Sequence, residues 1–398
     1  MTTTDRPDPA RIRITAYSLA TCLGLGRAVH LDALREGRSG LTPCDFPAVP
    51  IRCHIGRVAE VEALAFPQAV ADFDNRATRL ALLALQSDGL AGAVAAMRDR
   101  WGPARCGVVL GTSTSGVETL ERAYRGRGDG LRLPEGYSLR HHNDHQAVTA
   151  FLQAHLGLAG PGYTISTACS SSAKAVIDAV QLIEAGICDA ILAGGVDSLC
   201  LTSLMGFESL ELVSRSPCRP CDADRDGLSI GEGAGLMIIE REAEAGGRLC
   251  GFGETSDGQN MSTPPEDGAG AAAAMRAALF RAGLTAGEVG YVNLHGTATP
   301  ANDVAECRGV EAVFGSAVPV SSLKGAIGHT LGAAGAVEAI LSLIAVEEGL
   351  LPGNTGVLAQ DPAIRCRLQT ATETAPITYA MTNAFGFGGN NCALILSC

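Results

Sequence analysis

Short apolar runs alternate along the chain with stretches whose leucines and alanines recur at helical spacing, which predicts strands alternating with helices. Residues 106–111 predict a strand that runs into a polar Gly-Thr-Ser-Thr-Ser-Gly loop. Residues 75–97 predict one helix. Residues 170–186 predict a second, entered from a strand at 163–166 and followed by a buried strand at 189–193. Further along, 290–294 predict a strand, 300–314 a helix and 329–348 a very Ala/Gly-rich helix. Residues 379–383 and 392–397 predict paired strands around a Gly-rich turn. Alternation of this kind is the α/β pattern.

One stretch echoes another. Val108-Val109-Leu110-Gly111-Thr112 resembles Val292 to Thr297, each a strand ending in Gly-Thr and each followed later by a helix packed with small residues. The echo suggests a duplicated unit with its seam near residue 246, dividing the chain into halves 1–246 and 247–398. Small residues on both central helices suit helices crowded from two sides, so a multi-layered α/β core is expected.

Composition narrows the class. The chain has 398 residues, of which 46% are hydrophobic and 18% charged, enough to build a sizeable core and too apolar for a mostly disordered chain. The first ten residues are the candidate disordered segment. A net charge of −12 argues against a general nucleic-acid binder. No apolar run is long enough to span a membrane and the first residues carry no export core, so reduced thiols and a cytoplasmic location are expected for the 14 cysteines.

Four segments could carry chemistry. Thr167-Ala168-Cys169-Ser170 joins a strand to a helix, where the positive end of the helix dipole would favour a thiolate and free amides could hold an oxyanion. His295-Gly296-Thr297-Ala298-Thr299 places a histidine and two hydroxyls at a strand end. In Lys324-Gly325-Ala326-Ile327-Gly328-His329 a nearby cation would favour a neutral imidazole. Phe385-Gly386-Phe387-Gly388-Gly389 suggests a turn whose amides face a ligand. Two other runs are poorer candidates. Cys218-Arg219-Pro220-Cys221 lacks the second pair that zinc normally needs, and the histidines at 141, 142 and 145 read as a solvated loop, so no metal is expected.

Together and in this order, the four segments resemble the β-ketoacyl-acyl-carrier-protein synthases, the condensing enzymes of the thiolase superfamily, and within them the elongating Cys-His-His type. The resemblance extends to Ala193-Gly194-Gly195-Val196, to residues 219–227, to Gly231-Glu232-Gly233-Ala234-Gly235 and to residues 332–338. It implies a five-layered αβαβα sandwich built from two duplicated halves, usually dimeric. It implies Cys169 as nucleophile, with His295 and His329 holding the malonyl thioester. Lys324 and Glu338 would order the His329 region, and Glu306 and Phe385 would support it. The amides of Cys169 and Phe387 would form the oxyanion hole, Phe387 also being the gate. Thr297 and Thr299 would touch phosphopantetheine, and Thr114 and Phe207 would border the acyl chain. No cofactor is implied beyond the phosphopantetheine of acyl carrier protein.

Thr114, the polar run 140–145, and Glu208 and Glu211 depart from the ordinary fatty-acid pattern. They suggest a polyketide- or polyene-type pathway, with a homodimer or a heterodimer formed with a related subunit. Arg132, with Arg76, Arg79, Arg122, Arg125 and Arg127, is the expected basic patch for an acidic carrier. The rival readings are a ketosynthase active only beside a chain-length-factor partner, a non-catalytic partner subunit, a degradative thiolase and a cysteine hydrolase.

Overall fold

A computed structural model describes residues 11–127 and 132–398. The expectation for the first ten residues lies outside the described part. Two mixed sheets dominate. The first is built from β1 (Arg13–Thr21), β2 (Cys106–Gly111), β3 (Gly162–Ile165), β4 (Ala190–Asp197) and β5 (Gly233–Glu240). Its order is β1-β5-β4-β2-β3, with Gly24–Leu25 added beside β1. The second contains β6 (Arg248–Ser256), β7 (Tyr291–Asn293), β8 (Pro319–Ser321), β9 (Ala380–Gly386) and β10 (Asn390–Ser397). Its order is β6-β10-β9-β7-β8, with Arg367–Leu368 at the far edge.

Along each sheet the pairings run antiparallel, antiparallel, parallel, parallel in the same succession. The echo in the sequence therefore falls on topologically equivalent strands, β2 and β7. The parallel strands of both sheets end on the same side as the candidate residues, and the carboxyl ends of parallel strands are where α/β folds bind ligands.

Helices fill three layers. Against the outer face of the first sheet lie α1 (Arg76–Gln86), α2 (Leu90–Trp101) and, further along the chain, the helix Ala147–Leu156. Between the sheets lie α3 (Ser171–Glu184) and, from the second half, the buried helix Ala334–Glu348. Outside the second sheet pack α4 (Ala269–Ala282) and α5 (Pro300–Phe314), and Ala334–Glu348 is then α6. The chain thus forms an αβαβα sandwich. α6 is buried on every side through Val346, which explains why its sequence carries almost no polar face.

Close approach in the central layer depends on glycine. A Cβ on Gly335 of α6 would come within 2.6 Å of the Ala173 nitrogen of α3, and one on Gly111 of β2 within 2.2 Å of the Ser172 nitrogen. The single helix expected over 75–97 is two helices bent by 82°. Asp88 and Gly89, with φ of 53° and 73°, break it between α1 and α2. The apolar spacing continues through the break, so periodicity alone could not reveal it. Among the described residues no single helix is long and apolar enough to cross a membrane.

Candidate active site

The nucleophile candidate sits on a strained elbow. β3 ends at Ile165, and the chain turns into α3 through Ala168, a non-glycine residue at φ 53°. Such a conformation costs about 1–3 kcal/mol unless its surroundings enforce it. Ser171 enforces it, its hydroxyl donating to the Ala168 carbonyl at 2.6 Å and accepting from the Thr167 amide at 2.9 Å. The elbow delivers Cys169, 5% exposed, to the floor of a cavity of about 320 Å³.

Two turns of the second half face it. Beyond β7, the amides of His295 and Gly296 donate to the two carboxylate oxygens of Glu306 on α5, at 2.7 and 2.8 Å. Asn383 donates to the same carboxylate at 3.0 Å. Beyond β8, the His329 amide donates to the Ser229 carbonyl at 2.7 Å, and the His329 carbonyl accepts from Gly231 at 2.9 Å. His329 Nε2 then lies 3.0 Å from Cys169 Sγ. The His295 ring meets that of His329 edge-on with centroids 5.2 Å apart, and Phe385 packs 6.0 Å from His295 on another side.

Behind the histidines is a buried ion pair. Lys324 Nζ lies 2.5 Å from Glu338 Oε1, and Asn293 donates to the other oxygen of Glu338 at 2.9 Å. Lys324 Nζ also faces His295 Nδ1 at 3.4 Å. An ammonium can only donate, so Nδ1 accepts and Nε2 carries the ring proton toward the cavity. Burial holds both imidazoles well below the usual histidine range, and the Lys324 charge pushes the same way. Both rings are therefore neutral near pH 7, as the spacing of Lys324 and His329 led one to expect. Burial pushes the Glu306 carboxyl up to about 7 against the pull of its three donors.

Cys169 corrects the expectation of a thiolate at a helix start. Burial pushes its thiol up to about 11, outweighing the opposing pull of Lys324 and of the backbone N–H groups of Phe387 and Cys169. At rest the sulfur is a neutral thiol beside a neutral imidazole. The amides of Phe387 and Cys169 both reach the sulfur.

The cavity is also lined by Phe207, Phe385, Phe387, Thr297 and Thr299. The hydroxyls of Thr297 and Thr299 bond each other at 2.9 Å, and the rings of Phe207 and Phe387 are 5.6 Å apart. Thr114 does not line it. Its hydroxyl donates to Asp197 at 2.8 Å and is buried. Arg76 is not a free surface charge. Its guanidinium is buried and held by Glu232 at 2.6 and 2.7 Å and by Glu62 at 2.6 Å. Arg79 is clamped by Asp74 at 2.6 and 2.8 Å. Arg132 is exposed. Cys218 of the C-x-x-C run donates to the Lys324 carbonyl at 3.2 Å, which makes it part of the scaffold behind the site.

Sequence reading missed Asp197. At the end of β4 its fully buried carboxylate accepts from the amides of Ser113, Thr114 and Gly332 and from the hydroxyls of Thr112 and Thr114. The available signal was a lone carboxylate closing the apolar run 190–196.

Residues 10–245 match the β-ketoacyl synthase N-terminal domain and residues 247–357 the C-terminal domain. The chain belongs to the β-ketoacyl synthase family. It is accordingly an acyltransferase with the thiolase-like fold. The 3-oxoacyl-[acyl-carrier-protein] synthase 2 of Rhizobium meliloti is 36% identical over 323 residues, 73% of each chain. That of Vibrio harveyi is 32% identical over 97% of this synthase and 98% of its own length. Among solved structures, the ketosynthase ApeO in complex with its chain length factor ApeC, from Xenorhabdus doucetiae, superposes with a TM-score of 0.90. It is 35% identical and covers 100% of this chain and 99% of that one.

Proposed function

We propose that this synthase elongates an acyl chain by two carbons, by decarboxylative condensation of malonyl-acyl carrier protein with an acyl group held on Cys169. The observation that carries the reading is the 3.0 Å approach of His329 Nε2 to Cys169 Sγ, with His295 beside it and Lys324–Glu338 behind. A neutral imidazole next to a thiol held up to about 11 supplies the missing base: His329 takes the thiol proton as sulfur attacks the acyl thioester. The proton then leaves with the pantetheine thiol. In the second step the His295 Nε2–H donates a hydrogen bond to the malonyl thioester oxygen, with His329 alongside, and the enolate that forms there is held while carbon dioxide departs. The carbanion attacks the acyl-cysteine, the oxyanion resting between the amides of Cys169 and Phe387. Collapse expels the Cys169 thiolate, which takes up a proton from solvent, and releases the 3-oxoacyl product.

In this reading Thr297 and Thr299 hold the phosphopantetheine arm, Phe387 and Phe207 gate the cavity, and Phe385, Glu306 and Glu338 keep the histidines placed. The substrates ride on acyl carrier protein, so no separate cofactor takes part. The halves meet at residue 246, and Arg132, with Arg122 and Arg125, offers the carrier its basic patch in a cytoplasmic enzyme. The full-length likeness to ApeO, solved with its chain length factor, favours a heterodimer with a related subunit in a polyketide- or polyene-type pathway over a homodimer.

The test is intact-protein mass after incubation with a medium-chain acyl carrier protein, comparing the wild type with Cys169→Ala, each with and without a candidate partner subunit. An acyl-sized gain in the wild type, absent from the variant, is expected. A gain that survives in Cys169→Ala overturns the nucleophile assignment. Full turnover without a partner overturns the heterodimer.

A further inference from the structure

Outside the condensation chemistry, the triad has the donor set of a metal centre. One ligand atom each from Cys169, His295 and His329 lies within 4.8 Å of the others, and all three residues are buried. They are the one such group of histidine, cysteine and carboxylate side chains among the described residues. Thiolate plus two imidazoles suits Zn²⁺, which takes tetrahedral N/S sites with sulfur at about 2.3 Å and nitrogen at about 2.0–2.1 Å. Those bond lengths set ligand atoms about 3.5 Å apart. The 3.0 Å between His329 Nε2 and Cys169 Sγ would open by about half an ångström, and a pair at the 4.8 Å limit of the group would have to close, both by side-chain movement. The cavity supplies solvent for the fourth position.

One neighbour opposes the metal. The Lys324 ammonium stands 3.4 Å from His295 Nδ1. A ring that gives Nε2 to a cation must carry its proton on Nδ1, pointing that N–H at the ammonium. Lys324 thus resists the ion twice, by like charge and by the tautomer it imposes. Glu338 offsets part of that charge at 2.5 Å.

We propose that Cys169, His295 and His329 form a latent Zn²⁺ site that shuts the enzyme reversibly, and that Lys324 holds its affinity down. Binding exchanges the thiol proton for the ion: Cys–SH and aqueous Zn²⁺ give Cys–S–Zn and a proton released to solvent. The occupied sulfur and imidazoles are then unavailable for acyl transfer. The inhibition rests on the roles proposed above, whereas the binding does not.

The experiment titrates the metal-free full chain with Zn²⁺, reading stoichiometry by metal analysis, affinity by competition with a chromophoric chelator, and ligation by the thiolate band of the Co²⁺ form. The wild type should take one ion, and Cys169→Ala should lose it. Lys324→Met should bind about ten- to a hundredfold tighter. Glu338→Gln, which leaves the Lys324 charge uncompensated, should bind more weakly and decides the matter if Lys324→Met does not fold. Equal affinity in the wild type and Lys324→Met overturns the role of Lys324. Failure of both to bind, or a stoichiometry unchanged in Cys169→Ala, overturns the site. One-to-one binding through Cys169 that leaves acylation from a carrier untouched would overturn both the shut-off and the nucleophile reading, and would leave only the binding.

Discussion

The two halves place equivalent turns at the same edge of equivalent sheets and use them differently. After β2, the amides and hydroxyls of residues 112–114 converge on the Asp197 carboxylate. After the matching strand β7, the amides of His295 and Gly296 converge on Glu306, and the turn carries an imidazole into the cavity. The next pair of junctions differs in length. Residues 166–170 lead directly from β3 into α3 and deliver one cysteine. Residues 322–333 intervene between β8 and α6, and deliver Lys324 and His329. A carboxylate anchors both strand-end turns. The first half uses its anchor to hold a scaffold, which also ties down Gly332 beyond His329, and the second uses it to aim chemistry.

That division can be broken by experiment. The largest effect is expected at the aimed turn. Glu306→Ala should lower kcat by about a hundredfold, since a displacement near 1 Å of a reacting group costs that much, with a smaller change in KM. Steady-state kinetics would show it, and an unchanged kcat would mean that Glu306 does not place His295. Asp197→Ala orphans several buried donors at the scaffold turn and should lower stability by about 3 kcal/mol in urea unfolding. A variant that keeps its stability yet loses kcat would erase the distinction.

A smaller, graded effect concerns the thiol. Iodoacetamide should alkylate Cys169 about tenfold faster for each pH unit up to about 11, because the neutral thiol must first lose its proton. A plateau near neutral pH would show that the elbow stabilises a thiolate after all. Least of all, Arg132→Ala should weaken carrier binding by about 0.2–1 kcal/mol, the range of an exposed charge contact, measured by titration at low salt.

Much of this was legible along the chain. Hydrophobic spacing located α5 to the residue and β2 without error, because each buries one consistent face or a whole run. The glycine-punctuated segments around His295, Lys324–His329 and Phe387, and the strand-to-helix junction at Cys169, stood out because turns that approach a ligand closely restrict residue type. Other features depended on partners far away in sequence. Thr114 bonds a carboxylate 83 residues on, and Arg76 one 156 residues on, so neither burial could be read locally. The break at Asp88–Gly89 was hidden because apolar spacing persists through it.

Residue order by itself determined the α/β class, the repeat and the kind of side chains available for chemistry, since these follow from local periodicity and turn composition. Only the tertiary structure decided the state of the thiol, which the sequence alone had led one to expect as a thiolate. Stacking five layers removes water from Cys169, Lys324 and both histidines together. In that dry site desolvation outweighs the pull of the cation and of the oriented amides, leaving a neutral thiol beside two neutral imidazoles.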